Sequence, residues 1–346
     1  MESIKYINLE FGGDSGLCNK LLRLVAGCDF ASGKLLPVCD NIYDASLGPR
    51  PHEKPDGEKY VILDPEFYDT WGTRMLCEFK DHTTYPLMFS EIYDMEYFNE
   101  FMKPYNVEMV LRNSKIEADI NVSHKDTWTA AERMVKKQRL TSEIKNYSML
   151  TEVARALVPN KINKSIIDHF AREFSVEDTM AFQHRIESDN KQRDAAGIKR
   201  PYEKCYRSIE EVIEMYKKSE IGIENIFYTC GERHLEPQEK WEEAGYNSCY
   251  FYDSSFGYDL NAAINLELCS RAKAFAACSR STFTSWITLK RSLLNKGNSY
   301  VYNLGYSNKE DENGLLHNKE DKLYERKDMG VYPHSLEAVE KEVLLV

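Results

Sequence analysis

Residues 179–193 read T-M-A-F-Q-H-R-I-E-S-D-N-K-Q-R. The apolar run through Met180, Ala181 and Phe182 stops abruptly at Gln183, His184, Arg185, Glu187 and Asp189. A short apolar run bounded by polar residues reads as a buried strand. A buried strand that opens into charge is how an open α/β sheet presents a site at its carboxyl edge. A strand that merely runs out into a solvated loop has the same local pattern, so the flanking sequence has to decide.

Downstream the pattern alternates. Ser208 followed by Glu211 forms a capping box that opens a helix over 209–218. A strand over 225–230, a short helix with Pro237 near its start and a strand over 248–252 follow. Then come a helix over 259–271, a strand over 273–278, a helix over 282–294 and a strand over 299–303. A helix near 161–173 precedes the quoted stretch. Strands alternating with helices imply a parallel, doubly wound sheet, and the fold class is α/β. Pro159 and the polar residues after it mark a domain boundary. The expected division is therefore 1–158, 159–305 and a charged extension over 306–346, in which Ser335–Val343 can form one more helix.

The N-terminal half repeats the theme. Residues 4–11 are β-like, Gly12-Gly13-Asp14-Ser15-Gly16 is a tight turn, and Leu17, Leu21, Leu24, Val25 and Cys28 then line one helical face. Strand, glycine turn and helix cradle anions, because freed amides at a helix N-terminus attract negative charge. The turn matches neither the dinucleotide fingerprint nor the P-loop. That leaves a dinucleotide-dependent oxidoreductase resting on the glycine turn alone. Further strands are expected at 34–38, 59–64 and 106–111, and helices at 126–140 and 142–157. Residues 64–105 are dense in aromatic side chains, which either fill a core or stack on sugar faces in an acceptor groove.

The 346-residue chain carries a formal charge of −11 and no basic block, which argues against a nucleic-acid partner. Its nine cysteines are scattered singly in mostly apolar runs, with no C-x-x-C or Cys/His cluster, so a structural zinc site is not expected. There is no leader-like segment and no membrane-spanning run, and the expectation is a cytoplasmic protein.

Three strand-to-helix junctions carry unusual polar residues: 12–19, 183–189 and 278–285. In the third, C-S-R-S-T-F-T-S, five small hydroxyl residues open a helix where ordinary N-capping needs one. At these junctions the sequence resembles a known family. Gly16-Leu17-Cys18-Asn19 and the helix after it resemble the G-x-x-N opening of the protein O-fucosyltransferases and their relatives. Arg185-Ile186-Glu187-Ser188-Asp189 resembles their H-x-R-x-x-S-D signature. Ala263–Leu268, the apolar 272–276 and Ser281-Thr282-Phe283 resemble their donor-binding block. Order and spacing agree across residues 4–294.

The resemblance implies a GT-B fold, two Rossmann-like domains facing across a cleft, and a glycosyltransferase that inverts configuration without a metal or other cofactor. It implies GDP-fucose as donor and a glycan or protein hydroxyl as acceptor. Arg185 would stabilise the departing phosphate. Gly16 and Asn19 would help position the donor or Arg185. His184 and Asn265 would contact the donor, and Ser281, Thr282 and Phe283 would hold the diphosphate and pack the nucleotide. Asp189 would orient Arg185, contact the donor or form a local ion pair. The base that takes the acceptor proton would be Asp14, with Glu10 the alternative. The chain carries no D-x-D and no cluster to replace it.

Two positions depart from the family pattern. Gln183 stands where the family has His, with a His one residue later, and Asn265 stands where an acid would meet the base. These keep open another donor sugar, such as rhamnose on GDP or UDP. A non-catalytic carbohydrate- or protein-binding module on the same fold is the alternative of a different class.

Overall fold

A computed structural model describes residues 3–11, 16–32, 58–67, 87–122, 148–186, 207–231, 235–278, 281–302 and 323–325. They form two compact units that divide between Asn163 and Lys164, a few residues past the boundary read from Pro159.

The first unit is built on β1 (Ser3–Leu9), β2 (Glu58–Leu63), β5 (Met109–Val110) and β6 (Ile120–Val122), all parallel, in the order β5-β2-β1-β6. A short antiparallel pair, β3 (Glu66–Phe67) and β4 (Leu87–Met88), lies apart. Between β1 and β2 runs α1 (Leu17–Ala31), whose expected stripe of Leu17, Leu21, Leu24, Val25 and Cys28 is buried. It lies close on β1: a Cβ at Gly27 would sit 2.3 Å from Leu9 Cδ1. The other helices are α2 (Phe89–Ile92), α3 (Met95–Met102) and α4 (Ser148–Ala156), and Leu150, Val153 and Ala154 bury one stripe of α4.

Core packing accounts for Phe67, Phe89, Tyr93 and Phe98 among the described aromatic residues, whereas Tyr97 is exposed and stacks on Phe101. Phe67, Phe89 and Phe98 are fully buried, and the Phe89 and Phe98 rings meet edge-on at 5.2 Å. Strand β6 was not expected, because three residues in a polar setting offer no readable alternation. The expected strand at 34–38 and helices at 126–140 and 335–343 lie outside the described residues.

The division between the units falls within α5 (Lys161–Glu173). The second unit continues with β7 (Met180–His184), α6 (Ile209–Lys218), β8 (Asn225–Cys230), α7 (Leu235–Glu243) and β9 (Asn247–Tyr250). It closes with α8 (Tyr258–Arg271), β10 (Ala274–Cys278), α9 (Thr282–Leu293), β11 (Ser299–Tyr302) and β12 (Tyr324–Glu325). The sheet order is β12-β11-β10-β7-β8-β9, parallel except for β12. Because both faces of β7 are covered, all five of its residues are buried and it reads as a nearly continuous apolar run. Met180 and Phe182 join a core with Val212, Tyr216 and Trp241 from α6 and α7. On the opposite face, Phe170 of α5 packs edge-on to Phe227 of β8.

Behind α8 and α9, Arg291 is fully buried. Its guanidinium donates to the carbonyls of Cys269, Ala272, Lys273 and Gly297 and to Ser299 Oγ. It thus satisfies the otherwise orphaned carbonyls at the end of α8, where the helix dipole favours a cation. Lys290 and Glu267 form a second tie between the same two helices.

Candidate functional site

In an open parallel sheet a ligand binds beyond the carboxyl ends of the strands, where the strand order reverses. In the second unit that reversal lies between β7 and β10: β8 and β9 build outward from one side of β7, then β10 and β11 from the other. Ala277 is level with Gln183, so the chain leaves β7 into Arg185 beside the point where it leaves β10 into α9. The second and third junctions singled out in the sequence are thereby brought to one edge.

The contacts there are specific. Gln183 Nε2 donates to Ser281 Oγ at 3.2 Å. Thr284 Oγ1 lies 2.7 Å from Gln183 Oε1 and 2.8 Å from the Cys278 carbonyl. Tyr302 donates its hydroxyl proton to the Gln183 carbonyl at 3.0 Å. Ser281 is the N-cap residue of α9, yet no side chain caps that helix and no acid occupies its first turn. Thr282 and Phe283 are half-buried in that turn. Arg185 is half-buried and directly follows β7.

His184, expected beside Arg185 at the donor, points the other way. Successive strand residues face opposite sides, so with Gln183 turned toward α9, His184 is turned into the core. It is 1% exposed, lies parallel to the Phe182 ring at 5.8 Å and accepts a hydrogen bond from Trp241 Nε1 at 3.0 Å on Nε2. Burial lowers its pKa to about 3, so the imidazole is neutral at ordinary pH, with its proton on Nδ1.

Asn265, two turns into α8, is 4% exposed. Its Nδ2 donates to the carbonyls of Phe251 at 3.1 Å and Asn261 at 2.9 Å, which fixes the amide's orientation, since the reverse would set oxygen against oxygen. Its Oδ1 is buried without a partner. The sequence offered one acceptor and one donor at this position. The fold consumes the donor and leaves the acceptor.

In the first unit the strand order reverses between β1 and β6, and α1 starts beyond the end of β1. Its N-cap is Gly16, again with no side-chain cap and no acid in the first turn. Asn19 lies one turn in, with a buried Oδ1 that has no partner. Lys20 and Arg23 on the same helix are buried, as is Asp29 near its end. Across the carboxyl edge of this sheet Arg112 donates to Asn8 Oδ1 at 2.5 Å, and Asn8 in turn donates to Asn121.

Asp14 and Asp189 lie outside the described residues, whereas Glu10, the alternative base, is exposed just beyond β1. The sequence reading passed over Gln183 and Thr284 as site residues. The available signal was the substitution at 183 together with the surplus of hydroxyl residues over 279–285. Among the described residues no group of three or more His, Cys, Asp or Glu is placed to hold a metal ion, and no helix is long and apolar enough to cross a membrane.

No family model matches the chain, and no curated protein matches it by sequence. Solved structures do match its fold. POFUT1 in complex with GDP-fucose superposes with a TM-score of 0.51 at 11% identity, over 83% of this chain and 94% of that one. The POFUT1 apo-form gives 0.52 at 10% identity, over 86% and 97%. The fucosyltransferase NodZ from Bradyrhizobium gives 0.48 at 10% identity, over 87% and 95%. At such identity the POFUT1 likeness is one of fold: the chain shares the mixed α/β, parallel-sheet architecture of POFUT1.

Proposed function

We propose that the chain is an inverting glycosyltransferase that moves a deoxyhexose, fucose from GDP-fucose, to a hydroxyl of a glycan or protein acceptor, without a divalent cation. The observation that carries this reading is the pairing of Arg185 with the uncapped start of α9, at the point where the second unit's sheet reverses its order. Breaking a sugar–phosphate bond leaves negative charge on the departing phosphate while the sugar becomes oxocarbenium-like. A guanidinium stays protonated and can grip phosphate with two parallel hydrogen bonds. The first-turn amides of α9 supply further donors that need no reorganisation during the reaction. The buried acceptor of Asn265 suits the N1–H and N2–H₂ edge of guanine. Inversion also requires a group to take the acceptor proton; Asp14, or else Glu10, fills that role in this reading.

The test is to offer the folded protein a panel of GDP- and UDP-sugars, with and without chelator, and to measure nucleotide binding and release. Binding of GDP-fucose with chelator-insensitive turnover is the expected result; binding of none of the panel overturns the reading. Arg185→Ala should then lower turnover by roughly a hundredfold or more with the fold intact. Arg185→Lys should recover only part of that, because an ammonium cannot reproduce the bidentate geometry. A non-catalytic binding module would be indifferent to both changes.

A further inference from the structure

The N-cap residue of α9 is a serine that does not cap. Ser281 has the extended backbone of an N-cap, φ −94° and ψ 129°, yet its side chain makes no bond to its own helix. Ser208, at the head of α6 with φ −67° and ψ 160°, does so, accepting from the Glu211 amide at 3.2 Å. The difference lies in the neighbouring strand. One end of the Gln183 amide holds Ser281 Oγ at 3.2 Å, the other meets Thr284 Oγ1 at 2.7 Å, and all three residues are buried. The bond to a strand residue draws the serine oxygen away from the amides of its own first turn, which is where an N-cap oxygen normally sits. That hold is independent of which end of the Gln183 amide faces the serine.

We infer that Gln183 is a positioning residue: it keeps Ser281 off its own helix and so leaves the first-turn amides of α9 open to the diphosphate of the donor. The inference rests on the transferase reading above and adds to it how the anion site is kept free of its natural competitor. It also predicts an unusual dependence. Without the Gln183 amide, Ser281 would turn inward and cap α9, and a bound diphosphate would have to displace that cap. The loss would fall on the diphosphate alone and would require the serine.

Calorimetric titration of GDP and of guanosine into the wild type, Gln183→Met, Ser281→Ala and the double variant tests this, with thermal unfolding as the control for folding. Gln183→Met keeps the side-chain length without the hydrogen bonds, and Gln183→Ala serves as the second variant should the thioether fit poorly. The expected result is a GDP affinity lower by roughly five- to tenfold in Gln183→Met, with guanosine affinity unchanged. In the Ser281→Ala background the same change at 183 should have no further effect, since the two residues then act as one coupled pair. Equal weakening of GDP and guanosine, no weakening at all, or a GDP loss that persists without Ser281 would each overturn the inference. A wild type that binds no GDP would instead overturn the transferase reading, and this inference with it.

Discussion

Lowering the pH from 7 to 4.5 should destabilise this protein in a way that depends on one ring. His184 is fully buried, and burial lowers its pKa to about 3, against 6.5 for the free side chain. Below pH 6.5 the unfolded chain takes up a proton at this position while the folded chain does not. The unfolded state therefore binds more protons, and stability falls as the pH falls from about 6.5 toward 3. The slope is about 1.4 kcal/mol per pH unit, which amounts to about 2.7 kcal/mol lost by pH 4.5. Carboxylates titrate in the same window, so the measurement is the difference between the wild type and His184→Phe. At pH 7 the variant should be less stable by about 1–3 kcal/mol, because Trp241 Nε1–H loses its acceptor. The deficit should shrink on acidification, by about 2.7 kcal/mol at pH 4.5. Urea unfolding at several pH values, followed by tryptophan fluorescence, reads both quantities. Parallel stability profiles for the two proteins would refute the buried neutral imidazole. A loss of nucleotide affinity in the variant, with its stability unchanged, would return His184 to the donor site.

Other perturbations probe the frame behind the site. Arg291→Met should cost about 3–5 kcal/mol in urea unfolding, since it takes the donor from four carbonyls in buried or half-buried bonds, and Arg291→Lys should recover only part of that. Gly27→Ala should destabilise by about 1–3 kcal/mol despite the better helix propensity, and Leu9→Val should relieve it, because the new Cβ meets the buried Leu9. Asn265→Asp, which restores the acid of the family pattern, should lower the unfolding midpoint, because it takes the donor from the Phe251 and Asn261 carbonyls and adds a buried charge. Ser208→Ala should cost about 1 kcal/mol with no change in nucleotide binding.

The second unit was legible in the sequence because its signals are local. Its inner strands β7, β8 and β10 are buried on both faces and read as apolar runs, and the Ser208–Glu211 capping box announces α6 at the residue where it begins. The face on which a side chain lies was harder to read. His184 was the most conspicuous titratable residue of the quoted stretch, and strand alternation sends it into the core beside Trp241. Gln183 looked like a lost histidine. Its partner Ser281 lies 98 residues away and comes alongside only because β10 returns to pair with β7. The amide of Asn265 was ambiguous for the same reason, since its orientation is set by a backbone carbonyl 14 residues earlier as well as by its own helix.

The helix starts carry a last physical argument. Among the described helices, α3, α5 and α6 begin with side-chain caps, from Asp94, Asn160 and Ser208. By contrast the N-cap residues of α1, α8 and α9 provide no side-chain cap, although, like α6, each of these helices follows a parallel strand at the carboxyl edge of its sheet. A cap contributes about 1 kcal/mol, so the start of α9 forgoes stability that its own serine would supply. At α1 and α8 the N-cap is glycine, which has no oxygen to offer; at α9 the oxygen is present and held elsewhere. An anion bound at such a terminus returns the missing hydrogen bonds, so ligand binding and helix stability are linked. Saturating nucleotide should therefore raise the unfolding midpoint of the wild type more than that of any variant in which α9 caps itself.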